Sequence, residues 1–168
     1  MHEAFQLLRN TRTNWSLAMT NLSEFAVQKI RGTRVPTAEQ MEEYTNVLLN
    51  IAGADGEISP SEWEFLVFHG RAVGADDATI EKWRAIDYKS QDLEDLTKSA
   101  FIKTRAKSLL YDAIRTARAD NYAAEEKAAV AKAAKLLGVE PNVVAALEAF
   151  VEMEESVTKM RGSMLYSD

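Results

Sequence analysis

Two short acidic loops hold the residues best suited to chemistry in this sequence. The first is Ala54-Asp55-Gly56-Glu57-Ile58-Ser59-Pro60-Ser61-Glu62 and the second is Ala119-Asp120-Asn121-Tyr122-Ala123-Ala124-Glu125-Glu126. Asp55, Glu57 and Glu62 in one loop, with Asp120, Glu125 and Glu126 in the other, are candidate oxygen ligands. Carboxylates brought together repel, and a hard divalent cation relieves that repulsion. In a partly buried cluster without a cation, at least one carboxyl should titrate above its ordinary range. Oxygen ligands favour calcium, magnesium or manganese over copper or zinc. No organic cofactor is indicated. A second reading needs no ligand at all: acidic residues at helix starts cap free N–H groups and complement the helix dipole.

The first loop looks like the second half of an EF-hand loop, with Asp, a glycine for the sharp turn, an apolar residue and a closing Glu. Gly56 can take positive φ and fold the chain back so that Asp55 and Glu62 approach. The first half of an EF-hand is missing, because Ile51 and Gly53 stand where side-chain oxygens belong. In the second loop Asn121 replaces the glycine, and Asn is the next residue best able to adopt the left-handed conformation. The same turn is therefore expected there. His69 falls on the same helix face as Glu62 and could add a nitrogen ligand, although a packed histidine with a satisfied hydrogen bond is the more ordinary reading. His2 is terminal. Lys98, Lys103, Arg105, Lys107, Arg115 and Arg118 make one helical region basic, either as a solvated face or as partners for the acidic loops.

The elements that must position these loops are helices. Phe5, Leu8, Trp15, Ala18, Met19, Leu22, Phe25, Ala26 and Ile30 form a helical stripe over residues 3–30, interrupted by the polar run Asn10 to Asn14. Thr37-Ala38-Glu39-Gln40 reads as a capping box that opens a helix ending at Gly53. Ser59, Pro60 and Glu62 give a stronger start for a helix ending at Gly74. Further helices are expected over 77–86, over one long amphipathic stretch 96–119, over 124–137, and from Pro141 toward Met160. Trp15, Trp63 and Trp83 sit on apolar stripes and read as core. No segment sustains the alternation of a half-buried strand. The expected fold class is all-α, a compact helical bundle.

The halves can be laid over one another. Leu49 to Asp55 matches Ile114 to Asp120, Glu62 falls on Glu126, Gly74 on Gly138 and Ile80 on Val144. The expected organisation is a single domain over 1–168, with an N-terminal helical segment at 1–36, a first repeat at 37–90 and a second at 96–160. One such unit cannot bury its apolar stripe alone, so two must pack together, with the N-terminal segment covering a remaining face.

Composition narrows the function classes. A net charge of −6 and a pI near 5.1 disfavour general nucleic-acid binding. The absence of cysteine removes disulfides, thiolate metal sites and Cys nucleophiles. No signal peptide and no run of apolar residues long enough to cross a membrane is present, so a cytoplasmic location without membrane insertion is expected. No phosphate loop, serine elbow, HExxH or Glu-x-x-His signature occurs, and enzymatic activity is not expected, the alternative being a hydrolase with a carboxylate-held metal.

With Ala54-Asp55-Gly56 running to Glu62, then Ala72-Val73-Gly74, and with Asp120 to Glu126 leading to Leu137-Gly138-Val139, residues 40–150 resemble the tellurite-resistance TerB-like family. That resemblance implies an all-helical, internally duplicated fold with an acidic, metal-binding centre, with Asp55, Glu62, Asp120 and Glu126 at the family's acidic positions. Asn121 departs from the glycine, and the second loop is one residue shorter, so Glu125 is an alternative to Glu126. Related modules occur beside J-domains of membrane-linked co-chaperones; no J-domain motif is present here. The resemblance implies a stand-alone, non-enzymatic, cation-binding interaction domain of tellurite or metal stress. Its expected partner is a protein, including membrane-associated stress-resistance components. The alternative is a purely structural interaction adaptor whose acidic loops only cap helices.

Overall fold

The computed structural model describes residues 34–166; the stripe over 3–30, with Trp15 and His2, lies outside the described residues. Within them there are eight α-helices and no strand. These are α1 (Ala38–Ala52), α2 (Pro60–Ala72), α3 (Asp77–Arg84), α4 (Leu93–Leu96), α5 (Ala100–Thr104), α6 (Ala106–Ala117), α7 (Ala124–Leu136) and α8 (Pro141–Tyr166). Short 3₁₀ turns occupy Gly53–Asp55 and Tyr88–Ser90.

The local signals act as expected at the first two starts. Thr37 and Gln40 close a reciprocal capping box on α1, and Ser59 and Glu62 close another on α2 with Pro60 in its first turn. The single long helix expected over 96–119 is instead three pieces, α4, α5 and α6. Two devices break it. The Thr97 hydroxyl donates to the Leu93 carbonyl at 2.9 Å, and Ser99 then caps a new start by accepting from the Ile102 N–H at 3.2 Å. Arg105, at φ −108°, separates α5 from α6. Side-chain hydroxyls compete with the helix ladder, a cost that an apolar pattern alone does not register.

The core is built around α6, which packs against α1, α2, α7 and α8. Leu48, Leu49 and Ile51 from α1 meet Leu109, Leu110 and Ile114 from α6, with Leu66, Ile102, Val130 and Val151 closing the sides, all nearly inaccessible to water. Trp83 is buried, whereas Trp63 is half-buried at the edge, with the Arg84 guanidinium over its ring. Gly70 lies beneath Trp83, where a Cβ would come within 2.4 Å of the indole.

The two halves share local devices. Each runs helix, acidic loop, helix, glycine, helix. Gly74 and Gly138 both take left-handed backbone, with φ of 98° and 68°. In both, the next N–H reaches back to the helix, Ala75 to Gly70 at 2.9 Å and Val139 to Ala134 at 2.8 Å.

Candidate functional site

Where α2 and α7 begin, each helix supplies a glutamate three residues past its cap. Glu62 Oε2 accepts from the Ser59 N–H at 2.8 Å, while the Ser59 hydroxyl accepts from the Glu62 N–H at 3.2 Å. Glu126 Oε2 accepts from the Ala123 N–H at 2.6 Å. Alanine has no hydroxyl to return that bond, so the second box is only half made. Both glutamates are buried, Glu62 at 3% exposure and Glu126 at 2%.

Their other oxygens, Glu62 Oε1 and Glu126 Oε1, are also buried and receive no donor from any other described residue. The two carboxyl groups are near enough across the gap between the loops for each to shift the other's titration. Two buried carboxylates this near repel, so the pair favours holding a proton. Burial is the largest influence on both and favours the neutral form. It pushes Glu126 up to about 8, helped by the bond and charge of Glu62 and by the charge of Asp55, against the pull of the Ala123 N–H. Glu62 is raised by burial and by Asp120, and is held down by the Ser59 N–H, the bond from Glu126 and the Ser59 hydroxyl. Both groups are therefore held above the ordinary carboxylate range, and the pair favours sharing one proton.

The remaining acidic candidates are placed differently. Asp55 and Asp120 are exposed but close enough for their charges to act on the pair. Each caps its own turn: Asp55 Oδ1 accepts from the Glu57 N–H at 3.2 Å, and Asp120 Oδ1 accepts from the Asn121 N–H. Glu57 and Glu125 are exposed. Among the described residues, no three of His, Asp or Glu converge closely enough to hold a metal. The two orphaned oxygens suit a hard cation, but as a two-carboxylate anchor: Glu62 and Glu126 would hold it, with backbone and water oxygens completing its shell.

The left-handed turn expected at Asn121 is not formed. Gly56 takes φ 116°, but no described residue other than glycine has positive φ. The second loop, shorter by one residue, passes from α6 to α7 without the 3₁₀ turn and the left-handed step that the first loop uses.

His69 does not join the acidic pair. It stacks between Tyr44 and Phe65, at ring separations of 6.3 Å and 6.5 Å, and its Nε2 lies 3.9 Å from Asp112 Oδ2. Of the basic residues, Lys98 bonds Asp95 at 2.6 Å and Arg118 forms a forked pair with Glu155 at 3.0 Å and 2.8 Å. Neither goes to an acidic loop.

Asp112 was not singled out by the sequence pattern, yet it is fully buried and accepts from the Tyr44 hydroxyl at 2.7 Å. The legible signal was a lone aspartate on the apolar face of α6, flanked by Leu109 and Ala113. Tyr44 and His69 line a groove of about 780 Å³ that also contains Arg34, Tyr111, Arg115 and Phe150.

No family model matches the sequence, and no curated protein matches it. A solved structure does: the crystal structure of a tellurite resistance protein from Nostoc punctiforme is similar at a TM-score of 0.78 and 27% identity, over 89% of this chain and 94% of that one. Its fold is thus shared over nearly the full length of both chains, and this structural neighbour fits the resemblance to the tellurite-resistance TerB-like family that the acidic-loop motifs carry.

Proposed function

We propose that this protein is a non-enzymatic interaction domain of tellurite or chemical-stress resistance, whose Glu62–Glu126 pair exchanges its shared proton for a divalent cation. The observation that carries this reading is the pair of buried oxygens without a hydrogen-bond partner, Glu62 Oε1 and Glu126 Oε1, on two carboxyl groups near enough to shift each other's titration. Calcium, magnesium or manganese suits the all-oxygen anchor. A cation bound there would link the start of α2 to the start of α7 and tighten the helical surface presented to a protein partner. The name of the Nostoc protein supports the stress-resistance setting.

A second reading is favoured by a specific observation. Glu62 and Glu126 already bond the backbone at Ser59 and Ala123, as helix caps do. On that reading the shared proton is the whole of the chemistry. Calorimetric titration of chelator-treated protein with each of the three cations, at pH 7 and pH 9, separates the two. Cation exchange requires proton release on binding and tighter binding at pH 9. Absence of heat and of any melting shift at either pH leaves the glutamates as caps.

A further inference from the structure

The C-terminal half of α8 carries an apolar stripe, Met153, Val157, Met160 and Met164, which are 62%, 47%, 60% and 74% exposed. Their spacing of four, three and four residues is the seam by which one helix grips another. The opposite side of α8 is engaged with its own domain: Val151 is in the core, and Glu148, Glu154 and Glu155 accept from Tyr122, Tyr111 and Arg118. Charge along the helix is divided. Glu148, Glu152, Glu154 and Glu155 come before the middle of the stripe, and Lys159 and Arg161 come after it. Arg161 is exposed and forms no ion pair among the described residues.

We propose that two copies of this chain pair through the stripe, their α8 helices antiparallel about a twofold axis between Thr158 and Lys159. In that register Met153 faces Met164 of the other copy and Val157 faces Met160, so all four residues of each stripe are matched. Glu154 and Arg161 stand on the same edge of the seam, each one step after a methionine of the stripe. The pairing brings Glu154 of each copy beside Arg161 of the other, and symmetry makes the contact twice. Glu154 is already held by the Tyr111 hydroxyl at 2.6 Å, and a carboxylate has room for a second donor. The other arrangements lose this match. A parallel pair would set the acidic halves together and the basic halves together. Sliding the antiparallel pair by seven residues would set Glu154 against its own counterpart. Charge therefore selects the occupant and its direction. Four apolar side chains from each copy make a small interface, so the dimer should dissociate on dilution.

Sedimentation of the full-length protein over a range of concentrations tests this. The unaltered chain should pass reversibly from monomer to dimer. Arg161→Glu should weaken the dimer about tenfold or more, because two attractions become two repulsions. Adding Glu154→Arg to that change should restore it, and circular dichroism checks that each variant is folded. Direction is read by disulfides, since the protein has no cysteine of its own. Met153→Cys mixed with Met164→Cys should crosslink on oxidation. Met153→Cys alone should not, because the two copies of that position lie about 16 Å apart along the paired helices, beyond disulfide reach. Three results would overturn the proposal: a chain that stays monomeric at every concentration, a dimer indifferent to Arg161→Glu, or ready crosslinking of Met153→Cys alone.

Discussion

The two acidic loops do the same thing by different means. Both end a helix, turn, and aim a glutamate from the next helix at the other loop. The first uses a 3₁₀ turn, a left-handed glycine and a full capping box. The second uses neither of the first two and only half of the third. The cap residues nonetheless have nearly the same backbone, φ −64° and ψ 160° at Ser59 against φ −69° and ψ 162° at Ala123. What the loops hold in common is therefore the position of Glu62 and Glu126, and the path leading to each is free to vary. The asymmetry reaches the pair itself: Glu62 has the Ser59 hydroxyl and N–H to favour its charge, whereas Glu126 has one N–H.

The largest expected effect comes from removing that titration. A group raised in the folded state stabilises most below its unfolded value, and the contribution is lost as pH rises through the folded value. The Glu126 contribution should fall between about pH 4.5 and about pH 8. Glu126→Gln keeps an acceptor for Ala123 and a donor for Glu62, so it should flatten this slope and raise the melting temperature of metal-free protein at pH 8 and above. It should also abolish any cation-induced shift, which in the unaltered protein would reach about 2.7 kcal/mol at a hundredfold excess over Kd. Thermal melts from pH 4 to pH 9, with and without calcium, read both.

Smaller effects separate the loops further. Gly53→Ala would push a Cβ to 2.1 Å from the Tyr88 ring and should cost about 1–3 kcal/mol in urea denaturation. At the corresponding place Arg118→Ala loses only a partly exposed ion pair with Glu155, worth about 1 kcal/mol or less. Gly56→Ala should cost about 1–2 kcal/mol for the left-handed step, whereas Asn121→Ala should be close to neutral. Equal losses from these two changes would mean that the turns are built alike. Finally, Ser59→Ala should remove about 1 kcal/mol and Ala123→Ser should add about 0.5–1 kcal/mol, by breaking one box and completing the other.

The sequence made the helices legible wherever their signals were local. Thr37, Ser59, Gly74 and Gly138 each mark an end that depends only on neighbours in the chain. It misjudged the stretch before α6, where the hydroxyls of Thr97 and Ser99 outweigh an unbroken apolar pattern. Within the candidate site, all six acidic positions were visible, but their ranking was not. Asp55 and Asp120 head the motif, yet the buried contact belongs to the two glutamates, because only the longer side chain, set three residues into a helix, reaches across. Asn121 misled because its tolerance of a left-handed turn says nothing about whether a loop one residue shorter needs one.

The link between the two acidic-loop regions, 85–95, contains no long helix and is where a hinge would be sought. Yet Asn50 of α1 donates to the carbonyls of both Tyr88 and Gln91, at 3.0 Å and 2.9 Å, and the Tyr88 ring fills the space left open by Gly53. Leu93, a little further on, is buried. The segment is tied at Tyr88 and Gln91 to the end of α1 and the start of the first acidic loop. A protease probing the folded protein should therefore find no cutting site at this boundary, and halves expressed separately should each lack a wall of their own core. The connector between the two loops is thereby a clamp on the core and not a joint in it.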